Sequence, residues 1–262
     1  MKPLTFVFAV ALLFLSACGG EPSASDPPTA ACNAPPITFG DGAALSDHQE
    51  VEVRFTCEGV VLAGTLYLPN GPGPHPALVW VHGSGEATRL RYAGALVPTL
   101  VQSGLAVLSY DKRGVGQSWG VCCPGDADHF NLLAADVVGA LTVLRSRSDI
   151  DSQHIGLVGA SQAGWIVPLA AVRSGQVAFT VLVDAPTVTT GEERLYSKLT
   201  GDDEGRDSGL TKQEVAKRLK EAGPSGFDPV PVINQMTGTA CGCTAHATSP
   251  SRPRKARQSS SE

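Results

Sequence analysis

Ile155-Gly156-Leu157-Val158-Gly159-Ala160-Ser161-Gln162-Ala163-Gly164 is a short apolar run that ends in a knot of tiny residues around one serine. The run does not alternate between apolar and polar, so it reads as a strand buried on both faces, the kind found in parallel sheets. Gln162 to Val172 follows with apolar residues near a spacing of 3.6, the period of a helix. A serine on a sharp strand-to-helix turn needs small neighbours, because only they let the strained turn form and lift the hydroxyl clear of the sheet. The second small position of that pattern holds Ala163, with Gly164 one place later. The plainer alternative is that Ser161 caps the helix, a common use of serine.

Working outward, the same kind of apolar run recurs at Ala77–Val81, Leu105–Tyr110 and Val177–Val183. Helical spacing fills Leu90–Gln102 and Leu132–Leu144 between them. Upstream, Val51, Val53, Phe55 and Cys57 alternate with polar residues, the period-2 mark of a half-buried strand. Glu58-Gly59 turns into a second strand through Leu62, Gly64, Leu66 and Leu68, closed by Pro69 and the turn-forming Asn70-Gly71-Pro72-Gly73-Pro74. A hairpin followed by alternating strands and helices predicts an α/β doubly wound, mostly parallel sheet with right-handed crossovers. Beyond the last strand, Thr211-Lys212-Gln213-Glu214 is a capping box that opens another helix. It belongs to an expected lid of about residues 186–228.

The ends differ from this middle. Leu4–Ala17 is uncharged and too short to span a bilayer, so residues 1–17 read as a signal peptide. Leu15-Ser16-Ala17-Cys18-Gly19-Gly20 resembles a bacterial lipoprotein lipobox, which implies acylation of Cys18, a membrane anchor and a cell-envelope location, with simple secretion as the alternative. Residues 18–44 offer little to bury and are expected to be a disordered tether. The domain proper is expected at 45–236. From Thr237 to Glu262 there is no Val, Ile, Leu, Met, Phe, Trp or Tyr, and the end carries Arg252, Arg254, Lys255 and Arg257. Residues 237–262 are therefore expected to be disordered, and the abrupt loss of apolar pattern suggests a change of reading frame near codon 236. Overall, charged residues are 17% of the chain against a usual ~25%, and the net charge is −5. That balance gives no general attraction to nucleic acid.

In a doubly wound sheet ligands bind outside the carboxyl ends of the strands. Two loops there accompany Ser161. His82-Gly83-Ser84-Gly85 follows the strand Ala77–Val81, where backbone N–H groups of a glycine turn can meet a developing oxyanion; His82 itself reads as a brace for that loop. Asp111-Lys112-Arg113-Gly114-Val115-Gly116-Gln117-Ser118 follows the next strand, with Asp111 and Arg113 read as charges that order a tight loop. Trp119 stands where a dinucleotide loop would need its third glycine, so that reading is set aside.

These three motifs, with the Gly164-Trp165-Ile166-Val167-Pro168 run, resemble the α/β-hydrolase family, specifically the secreted EstD-type carboxylesterases and the overlapping serine aminopeptidase-like hydrolases. The resemblance runs from about Val51 to Met236. It implies that Ser161 attacks an acyl carbon and that the N–H groups of Ser84 and Gln162 stabilise the oxyanion. It also implies an acid and then a histidine further along. Asp184, after the strand Val177–Val183, is a weak candidate for the acid. The sole downstream histidine is His246, in a segment not expected to form a strand. The sheet is accordingly expected to lack its last two strands, and the expected function is a serine hydrolase of carboxylic esters with impaired turnover in this polypeptide. A catalytically silent binding domain and an aminopeptidase-like peptidase are the alternatives.

Besides Cys18 there are Cys32, Cys57, Cys122, Cys123, Cys241 and Cys243, whose pairing the sequence does not choose. Cys241, Cys243 and His246 lack an evident fourth ligand for zinc. No metal and no cofactor is expected; the expected partners are a small acyl ester and, through Cys18, a membrane.

Overall fold

The computed structural model describes residues 37–91, 96–201 and 207–243. The hairpin forms as expected. Strands β3 (His48–Cys57) and β4 (Val60–Pro69) pair antiparallel with Cys57 opposite Val60, and the two residues between them, Glu58 and Gly59, both have positive φ, 48° and 71°. Left-handed residues at both turn positions match the twist of the flanking strands. Before them, β1 (Thr38–Phe39) and β2 (Ala43–Ala44) pair antiparallel with β3. The described residues thus begin inside the segment expected to be tether, where β1 and β2 pair through their main chain with β3.

Five further strands complete the sheet: β5 (His75–Val81), β6 (Ala106–Tyr110), β7 (Ile150–Ala160), β8 (Phe179–Val183) and β9 (Thr239–Cys243). The order is β1-β3-β4-β6-β5-β7-β8-β9, with β2 also on β3. From β6 onward neighbouring strands are parallel. β9 corrects an expectation, since a strand does form beyond residue 236 and extends the sheet past β8. The physical reason is that β8 would otherwise present a row of unpaired backbone groups. Thr239-Ala240-Cys241-Gly242-Cys243 satisfies that row through its main chain, which needs no apolar side chain and so leaves no hydrophobic signature. Residues 244–262, with His246 and the basic cluster, and residues 1–36, with Cys18, lie outside the described residues.

The helices cover both faces. α1 (Val97–Gln102) starts later than the Leu90 expected of it, and its Val97 and Val101 pack with Tyr67, Leu78 and Val107 on one face. α2 (Ala127–Arg145) and α3 (Ala163–Ser174) cover the other, where Leu62, Leu66, Val79, Leu108 and Leu157 meet Phe130, Leu141 and Ile166. Burying each such side chain contributes about 1.5–3 kcal/mol. α2 is long and apolar enough to cross a membrane, but 67% of that stretch is buried inside the domain. Between β8 and β9 come α4 (Thr190–Thr200), α5 (Lys212–Ala222) and α6 (Val230–Ile233). The order of β5, β6 and β7 reverses direction at β5, and a crevice at such a switch point is where ligands bind in open α/β sheets.

Candidate active site

Three loops leave the carboxyl ends of β5, β6 and β7. Ser161 directly follows β7 with φ at +52°, a left-handed conformation that for a non-glycine residue costs about 1–3 kcal/mol and persists only where the surroundings impose it. The surroundings are made of missing side chains. A Cβ on Gly159 would stand 2.5 Å from the Ala163 Cβ and 2.8 Å from Val81 O, and one on Gly164 would collide with Pro186 O. Ala163 therefore serves where the pattern has glycine, because the gap at Gly159 admits one methyl. Helix α3 has Gln162, not Ser161, at its N-cap position, and Ser161 Oγ makes no hydrogen bond among the described residues. The capping alternative falls, and the hydroxyl stands exposed at the turn.

The β5 loop lies against this turn. A Cβ on Gly83 would sit 3.3 Å from both Ala160 O and Ser161 Cβ, so glycine there lets the loop bearing Ser84 approach the serine closely. His82 is buried, and its Nε2–H donates to Tyr110 O at 2.6 Å, the tautomer being assigned from an acceptor that can only accept. Burial pulls its pKa down to about 4, which leaves it neutral. It braces the loop, as expected.

The β6 loop uses its polar side chains inward. Asp111 accepts from the backbone N–H groups of Arg89 and Gln117, at 2.8 and 2.9 Å, and pairs with the Arg89 guanidinium at 3.0 Å. Arg113 grips Asp136 of α2 through two bonds of 3.1 and 2.6 Å, with Asp136 fully buried. Burial raises the Asp136 carboxyl to about 6 against the pull of Arg113. Ser118 Oγ donates to Asp111 O and accepts from Ala63 N, stapling the loop to β4. Cys122 and Cys123 are disulfide-bonded to each other just beyond it.

Lys112 lies between these structural charges and was not singled out from the sequence. Only 2% exposed, it sends its ammonium to Gly83 O (2.9 Å), Gly85 O (3.2 Å) and Gln162 Oε1 (2.9 Å). Burial lowers its pKa to about 8. A lysine beside a glycine loop is no signal by itself, since lysine is usually solvated. The one available hint is its position two residues after a buried strand.

Asp184 follows β8 with φ at +48°, one strand over from the serine, and Ser161 N–H donates to Val183 O at 3.3 Å. Ser161, Ser84 and Gln162 are thus gathered at adjoining loops with Asp184 beside them, and no hydrogen bond joins Asp184 to an imidazole among the described residues. His129, in the first turn of α2, is buried, and burial with the nearby Lys112 charge lowers its pKa. A cavity of about 380 Å³ opens next to Gln162, walled by Phe130, Trp165, Thr190, Glu193 and Arg194. Phe130 and Trp165 stack at 5.3 Å, and Trp165 Nε1 donates to Val188 O at 3.0 Å. Among the described residues no cluster of three or more His, Cys, Asp or Glu is arranged to hold a metal ion.

A family model described as serine aminopeptidase, S33, matches residues 72–201. The chain is 29% identical over 197 residues to thiohydrolase aneE of Aspergillus aculeatus, covering 74% of this chain and 58% of that protein. It is 28% identical over 144 residues to esterase EstD of Thermotoga maritima, covering 53% of this chain and 33% of that one. The chain therefore spans little more than half the length of the first of these relatives and a third of the second. The crystal structure of acetyl xylan esterase 1 from Thermoanaerobacterium superposes with a TM-score of 0.52 at 18% identity, over 86% of both chains. Strand order, elbow and these likenesses agree on the α/β-hydrolase fold, and over residues 72–201 the chain matches the serine aminopeptidase, S33, family.

Proposed function

We propose that this domain is a serine hydrolase of small carboxylic esters. The observation that carries the reading is the left-handed Ser161 at the end of β7, with Gly83 closed down on it. Ser161 Oγ attacks the acyl carbon and gives up its proton to a base. The oxygen that becomes negative accepts from the N–H groups of Ser84 and Gln162. The C–O bond to the alcohol then breaks, the alcohol leaves with the proton, and water releases the acid from acyl-Ser161. The cavity beside Gln162, faced by Phe130 and Trp165, suits a small acyl or alkoxy group. Relatives named as esterases favour oxygen esters; the S33 description favours peptides as the second reading.

The proposal includes slow turnover for the 262-residue polypeptide. A serine hydroxyl needs an adjacent base, and none of the imidazoles among the described residues hydrogen-bonds Oγ. Asp184, after β8, is the candidate for the acid. The same proposal sets the domain at the bacterial cell envelope, tethered through a lipidated Cys18.

Hydrolysis of a p-nitrophenyl acetate and of the matching anilide by the wild type and Ser161→Ala tests the reaction. Slow ester cleavage that is lost in Ser161→Ala, with the anilide untouched, is expected; anilide cleavage of equal rate moves the assignment to a peptidase, and cleavage that survives Ser161→Ala removes the nucleophile. For the anchor, Cys18→Ser is expected to abolish incorporation of radioactive palmitate, and unchanged incorporation contradicts it.

A further inference from the structure

We propose that Lys112 is a positioning residue of the oxyanion site, fixing the direction of the Ser84 N–H and the seat of Gln162 by binding the Gly83, Gly85 and Gln162 oxygens at once. This deepens the serine-hydrolase reading and rests on it for its catalytic part. The Lys112 ammonium carries three protons. All three are used, at 2.9, 3.2 and 2.9 Å, so Lys112 acts through other groups and not as a base on the serine. Its bonds join three separate chain segments: its own loop after β6, the Gly83–Gly85 turn after β5, and the first residue beyond Ser161 after β7.

The Gly83 carbonyl and the Ser84 N–H belong to one planar peptide unit, and in a trans peptide these groups point in opposite directions. Tying Gly83 O to Lys112 therefore turns the Ser84 N–H away from the ammonium and holds it there. A cation on the carbonyl oxygen also polarises the unit, which makes its N–H a stronger donor where the medium is poorly polar. Both effects act on the group that the mechanism asks to receive the oxyanion. Gln162 is held by its side chain while its backbone N–H remains to serve the same oxygen. The cost of burying an ammonium is offset by this full set of acceptors, since a buried charge persists only when paired or hydrogen-bonded.

The neighbouring charges do not supply the same function. Asp111 is engaged with Arg89, and Arg113 with Asp136. His82 and His129, which feel the Lys112 charge, both have lowered pKa values with burial as the main cause. Lys112 itself, pulled down to about 8, loses its charge on mild alkalinisation. One of its three acceptors is then left without a proton.

The test has two readouts on the full chain. The first is the amide 15N shift of Ser84 and Glu86, the nitrogens of the two peptide units whose oxygens bind Lys112, followed across about pH 8. These shifts are expected to titrate together in the wild type and in Ser161→Ala, and to lose that titration in Lys112→Met. The second is the rate of modification by a fluorophosphonate probe and the kcat and KM for a p-nitrophenyl ester. Lys112→Met is expected to lower the labelling rate and kcat about 10²-fold, the loss typical of one oxyanion donor, with KM little changed. Lys112→Arg, which keeps the charge and the donors, recovers part of that loss. Flat 15N shifts in the wild type overturn the proposal without requiring any variant to fold. Titrating shifts with unchanged labelling in a folded Lys112→Met overturn its catalytic part. A wild type that titrates but is never labelled removes the serine-hydrolase reading, and the catalytic role with it.

Discussion

The loop from Asp111 to Ser118 and the segment from 186 to 228 meet the turn that carries Ser161, at Gln162 and at Gly164, and are built in opposite ways. In the first, Asp111, Lys112, Arg113 and Ser118 are all buried and all hydrogen-bonded inward. In the second, α4 buries no residue and α5 only Val215, and each helix is held instead by a capping box, Thr189 with Glu192 and Thr211 with Glu214. The segment is tied to itself by Thr190 N–H to Phe227 O and Gly191 N–H to Ser225 O, and to the rest by Trp165 Nε1–H to Val188 O and by Phe227 edge-on to Phe130 at 5.8 Å. The two constructions suit different work. A rigid polar loop can hold an oxyanion site to tenths of an ångström, while helices with little buried area have a low cost of displacement and suit the wall of a substrate cavity.

Breaking the rigid side should have the largest effect. Arg113→Ala leaves the Asp136 carboxylate buried without its partner, and a loss of about 3–5 kcal/mol in chemical unfolding is expected. The sign with pH follows from the carboxyl, already raised to about 6 and raised further without Arg113. The folded form then binds the Asp136 proton more tightly than the unfolded chain, so the variant regains stability as pH falls towards 5 and loses it again on return to 7. A variant with the same deficit at both values contradicts the buried pair.

A smaller effect is expected at the elbow. Gly159→Ala drives a methyl against Ala163 Cβ and Val81 O, which should lower stability by about 1–3 kcal/mol and slow probe labelling of Ser161. Adding Ala163→Gly removes one of the two clashes and should restore part of both. No recovery in the double variant means that the two residues are not the packed pair described. The smallest effect belongs to the other region. Thr189→Ala removes the α4 cap and the acceptor of the Ser225 N–H, worth about 1 kcal/mol, and should raise KM for esters while leaving the labelling rate nearly unchanged. An equal fall in labelling would erase the contrast between the two regions.

How legible each part was in the sequence follows from the same physics. Strands β5 to β8 announced themselves because both faces are covered, and only apolar residues fit there. The turn at Ser161 was readable from its glycines, and Ala163 is explained by the gap opposite it. Asp111 and Arg113 were read as ordering charges and are found as such. β9 was missed because it is held by its backbone at a sheet edge, where Thr, Ala, Gly and Cys suffice. Lys112 was missed because nothing in a single lysine tells a buried ammonium from a solvated one; only the three oxygens gathered around it do. α4 was covered by the expected lid without being recognised as a helix, since its capping box at Thr189 was not read.

The central claim is that Ser161 is a nucleophile poised at the end of β7. Treating the folded chain with a fluorophosphonate and mapping the adduct by peptide mass measures this directly. A single adduct is expected, on Ser161, and it disappears on prior unfolding and in Ser161→Ala. A folded chain that takes up no probe, or takes it up on another residue, contradicts it.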